Sequence, residues 1–141
     1  MGRVFKIGRA ISAAAMLTAM STPAFAGILQ QQSWRASSQV GPQRAFIDTS
    51  SIRRDGDKAR FLREVRSETA RQFSTGERYD RIGAIIEADC RARTFQTFHI
   101  YALLGDAVVM RSDVTAPIET VSPGSAAEVD LRAVCFNDWP Q

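Results

Sequence analysis

Residues 79–90 (YDRIGAIIEADC) do most to limit what this chain can fold into. Ile82, Ala84, Ile86, Ala88 and Cys90 fall on one side of an alternating pattern, and Arg81, Gly83, Ile85, Glu87 and Asp89 on the other. Successive side chains of a strand point to opposite faces, so a period of two over this length predicts a strand buried on one face only. The Cys90 sulfur then points inward, toward whatever covers that face. Residues 126–136 (AAEVDLRAVCF) offer a cover: Ala127, Leu131 and Val134 recur at helical spacing, with Cys135 beside them. Pro123 and Gly124 break the chain just before this run. Ser125 then stands three residues ahead of Glu128, the pattern of a capping box.

Cys90 and Cys135 are the only cysteines, so one intramolecular pairing exists. Whether they pair depends on compartment, and the N-terminus speaks to that. Arg3, Lys6 and Arg9 precede an apolar stretch at 10–20 (AISAAAMLTAM), and Ser21, Thr22 and Pro23 break it. Ala24, Phe25 and Ala26 give the small-x-small pattern of a signal-peptidase site, placing the cut between Ala26 and Gly27. The apolar stretch is shorter than the ~20 residues needed to span a bilayer. The leader holds no cysteine to carry a lipid. The expected location is therefore the periplasm, the medium or the cell surface, with no membrane span and no lipid anchor. An oxidising compartment favours the bridge, and closing a loop of about 46 residues would stabilise the fold by about 4 kcal/mol. Two buried free thiols or a metal pair are the alternatives, the latter short of the further ligands that zinc takes.

The 141 residues suffice for one domain. Charge narrows the partners. The formal +3 comes entirely from the leader, and residues 27–141 balance at 15 basic and 15 acidic side chains. A neutral domain has no charge-driven claim on nucleic acid or anionic lipid.

The rest reads as strands separated by turn chemistry. Residues 34–40 form a first strand, ended by Gly41 and Pro42; 44–48 form a second, with a polar turn at 48–51. Asp55-Gly56 is the strongest hairpin signal. The charges of 58–69 suit an exposed helix, but its place between two turns favours a long strand. Ser74 to Glu77 turn the chain, residues 94–103 and 107–113 are further strands, and Gly105-Asp106 joins them. The expectation is an α+β fold, an antiparallel sheet of about six strands with one C-terminal helix packed on one face. Residues 1–26 are then the signal peptide, 27–33 a lead-in, and 34–141 the domain.

Taken together, Arg44 to Asp48 (RAFID), Gly56, Tyr79, Glu87, Asp89-Cys90, Arg93, Tyr101, Gly105, Ser122-Pro123-Gly124-Ser125 and Val134-Cys135 resemble the bacterial surface-adhesin protein E-like family. That resemblance spans roughly 34–136. It implies an antiparallel sheet with a packed helix, the Cys90–Cys135 bridge, and a non-enzymatic role at the cell envelope, with adhesion to host matrix and serum proteins as the family's namesake activity. A protein partner is thus expected, binding through the sheet surface or an exposed edge strand, which would also allow a homodimer.

The enzymatic reading is an alternative. His99 is the only histidine, and no serine lies in a Gly-x-Ser-x-Gly elbow. Glu87 and Asp89 share a strand face and, with His99, could form the working face of a periplasmic enzyme or enzyme inhibitor. Their spacing matches no metal motif, and no P-loop or dinucleotide fingerprint is present, so no catalytic residue, metal or cofactor is assigned. Eight arginines between 53 and 81 face six acidic residues, which predicts a mixed-charge outer face rather than a polyanion site. Phe98 is expected in the core, with Phe95 and Tyr101 on the other face beside His99.

Overall fold

Glycine-bearing turns fold the chain back on itself. Gly56 and Gly105 sit at φ +56° and +59°, in the left-handed region that tight hairpin turns require and that costs glycine nothing. The computed structural model describes residues 33–141. The leader, the cut between Ala26 and Gly27 and most of the lead-in lie outside the described residues. The elements are β1 (Trp34–Val40), β2 (Gln43–Asp55), β3 (Lys58–Gln72), β4 (Arg78–Asp89), β5 (Thr94–Leu104), β6 (Ala107–Asp113), β7 (Glu119–Thr120) and α1 (Ala126–Phe136). The first six pair in sequence order as an antiparallel meander, and β7 joins the start of β5.

Helix α1 lies on one face of this sheet. Ile47, Ala59, Phe61, Ile86 and Ala88 from β2, β3 and β4 meet Leu131, Ala133 and Val134, with Val121 and Trp139 closing the ends. Cys90 and Cys135 are bonded, with S–S 2.08 Å and Cα–Cα 5.6 Å. The helix ends are satisfied by specific groups. The Ser125 hydroxyl accepts from the Glu128 amide at 3.2 Å, and the Glu128 carboxylate accepts from the Gly124 amide at 2.6 Å and pairs with Arg93. These bonds hold the Glu128 carboxyl below its ordinary value, the Gly124 amide contributing most and Arg93 next. At the other end Asn137 is left-handed, and Arg54 donates from Nε and Nη2 to the Val134 carbonyl at 3.0 and 2.7 Å. One ion pair is buried under the helix: Arg63 Nε donates to Asp130 Oδ2 at 2.6 Å, with Asp130 1 % exposed.

Three expectations need correction. Residues 48–51 are not a turn, because β2 runs through them with a register shift between Asp48 and Arg53. The polar side chains there replace the interrupted ladder. Asp48 accepts from the Ser50 amide at 3.0 Å, and Ser51 Oγ accepts from the Leu62 amide at 2.8 Å. The strand from Lys58 is longer than foreseen, reaching Gln72 past a second irregularity. Phe98 is not in the core. Ile85 pairs with His99 while Ile86 pairs with Thr97, so Phe98 is the extra residue of a bulge. The bulge reverses the alternation, and Phe95 takes the core position, edge-on to Phe61 at 5.9 Å.

Candidate functional site: the open face of the sheet

No helix or strand among the described residues lies on the face opposite α1. Alternation determines what it displays. Counting from Glu64 on β3, the cross-strand partners are Phe46 on β2, Gly83 on β4, Tyr101 on β5 and Arg111 on β6. Gly83 is there for space: a Cβ on it would lie 1.9 Å from Tyr101 Cζ. A glycine inside a strand marks such a close approach. The Tyr101 ring crosses this gap, and its hydroxyl donates to Glu64 Oε1 at 2.8 Å. Burial raises the Tyr101 hydroxyl's pKa well above the ordinary phenol value, and the bond to Glu64 adds to the rise.

Glu64 is 3 % exposed although it lies on the uncovered side. Its second oxygen accepts from Arg66 Nε at 3.1 Å, so both oxygens have donors. The Arg66 guanidinium rests over the rings of Phe46 and Trp34, 4.3 and 4.8 Å from their centroids. This is a buried polar group fully satisfied by its neighbours, which fixes one arrangement rather than many. Farther along the face, Arg60 lies over the Phe98 ring at 5.1 Å, and Lys58 donates to Glu87 at 2.8 Å.

The carboxylates and histidine considered for catalysis do not converge. Glu87 is taken by Lys58, and Asp89 caps the following turn by accepting from the Arg91 and Ala92 amides at 3.1 and 2.7 Å. His99 Nδ1 lies 2.6 Å from Asp113, whose side chain is almost fully exposed. Surface cavities of about 340, 560, 320 and 310 Å³ are lined by other residues than His99. Among the described residues no group of three His, Cys, Asp or Glu side chains is placed to hold a metal. No helix there is long and apolar enough to cross a membrane. The Tyr101–Glu64–Arg66 arrangement escapes a reading of the sequence because its members lie on β3 and β5, two strands that are not neighbours in the sheet. Gly83 inside an otherwise regular strand was the one available signal.

The described residues therefore form an open antiparallel sheet with a single helix bonded to one face. Solved structures share this form. The selenomethionine form of Haemophilus influenzae protein E superposes with TM-score 0.57 at 11% identity, covering 74% of this chain and 87% of that one. A second structure of H. influenzae protein E gives 0.56 at 11% identity, over 74% and 85%. Protein E from non-typeable H. influenzae gives 0.51 at 12%, over 72% and 76%. At these identities the likeness speaks for the fold. Membership comes from the family model of surface-adhesin protein E, which matches residues 34–136. The chain belongs to the surface-adhesin protein E family. No curated protein matches it by sequence.

Proposed function

We propose that this is an exported, non-enzymatic binding protein of the cell envelope that attaches to a protein partner through the open face of its sheet. The observation that carries the reading is that face itself. It offers aromatic and arginine side chains, the residue types enriched where proteins meet, already held in place by mutual contacts. Family membership supports adhesion as the purpose, with an extracellular-matrix or serum protein as the partner. The leader supports passage out of the cytoplasm and release by cleavage before Gly27. The domain is then 34–141, following the short lead-in.

The test has two parts. Fractionation of cells expressing the full chain should place a species beginning at Gly27 outside the cytoplasm. That species should bind saturably to at least one protein in an immobilised panel of matrix and serum proteins. Reversing charge on the open face with Arg60→Glu and Arg111→Glu together should weaken that binding, whereas Arg132→Glu on the helix should not. Retention in the cytoplasm, or binding indifferent to the open-face changes, would refute the reading.

A further inference from the structure

Cross-strand register sets Arg44, Arg66 and Arg81 directly opposite one another on β2, β3 and β4. Neighbouring strands lie about 4.8 Å apart, and like charges facing across them destabilise a sheet. Two of the three are neutralised within the chain. Arg66 is paired with Glu64, and Arg81 has Asp80 at 3.7 Å and Asp106 at 3.4 Å. Arg44 is exposed, and its side chain makes no ion pair or hydrogen bond among the described residues. The terminal nitrogens of Arg66 are also unbonded there, while its plane is fixed over Phe46 and Trp34.

Arg44 and Arg66 line one cavity of about 340 Å³, together with Gln39, Pro42, Phe46 and Glu68. Its wall thus combines two guanidinium groups, one carboxylate and the apolar surface of Phe46 and Pro42. A guanidinium fork matches a carboxylate in a planar, two-bond fashion, and a fork held by rings loses little freedom on binding. An extended polyanion would need the whole row unpaired, but Arg81 is already satisfied. A single carboxylate beside an apolar side chain fits better. Resting on the protein-binding reading above, we infer that this cavity receives an Asp or Glu side chain of the partner, with an adjacent apolar residue against Phe46.

Titration of the ¹⁵N-labelled chain, followed by NMR, tests this. The probes are acetyl-Leu-Glu-Phe-amide, its Leu-Gln-Phe counterpart and a sulfated hexasaccharide. The glutamate peptide should shift the Arg66 Nε–H and Phe46 amide signals saturably, with the glutamine peptide weaker by about tenfold. Arg44→Gln, at an exposed position, should leave the spectrum of the fold intact and weaken the glutamate peptide by about tenfold as well. Equal binding of the two peptides, indifference to Arg44→Gln, or tighter binding of the hexasaccharide would overturn the inference. Loss of peptide binding with retained capture of a matrix protein would remove this inference and leave the adhesin reading standing. The opposite pattern would do the reverse.

Discussion

On the side covered by α1, aliphatic and aromatic side chains pack around one buried ion pair and a covalent bridge holds the two layers. On the other side, Glu64 is almost as well buried as those aliphatic groups, yet what buries it is a tyrosine ring, an arginine and the absence of a side chain at Gly83. Apolar burial scales with area and tolerates repacking, whereas a hydrogen-bonded carboxylate tolerates almost no displacement. The covered face therefore holds the two layers together, and the open face carries a defined arrangement of polar and aromatic groups.

That division can be broken experimentally. Replacing both Cys90 and Cys135 with Ser should give the largest effect, a loss of about 4 kcal/mol in urea unfolding. In the still-folded variant the Tyr101 ring signals should stay where they are in the parent. Movement as large there as in α1 would show that the two faces are not separable. Gly83→Ala acts from the other side. The added methyl must displace the Tyr101 ring and cost about 2 kcal/mol, read as a shift of the urea midpoint with α1 unaffected. Tyr101→Phe keeps the ring and removes one donor to Glu64, for a loss of about 1.5 kcal/mol.

The smallest effect concerns pH. The folded chain holds the Glu128 carboxyl below its ordinary value of 4.5, so its contribution is complete at neutral pH. It fades as the pH falls through the lowered folded value. Glu128→Gln should thus be less stable than the parent at pH 7, and the difference should shrink in strong acid. A gap that stays constant with pH would assign the effect to helix capping geometry instead of charge.

Much of this could be read in the sequence, and the misses share a cause. The strand at 79–90, the helix at 126–136 with its Ser125 and Glu128 ends, and the inward cysteines all follow from local period and turn chemistry. The β1 and β6 bounds are those foreseen. The expectation failed at the irregularities: the Phe98 bulge exchanged the roles of Phe95 and Phe98, and the register shift after Asp48 was taken for a turn. An extra residue in a ladder leaves no mark on local composition, yet it reverses every face assignment beyond it. The open-face arrangement was hidden for a related reason. Phe46, Glu64, Gly83 and Tyr101 meet only once four strands are in register.

The meander has a consequence for how the chain acquires its shape. Each of the first six strands pairs with its sequence neighbour, so hairpins can close one after another over short loops. Docking α1 back onto β1 and β3 is the step that joins distant parts of the chain. Kept reduced, the protein should assemble its strands first and recruit its helix late, and oxidation should hasten that last event more than any earlier one.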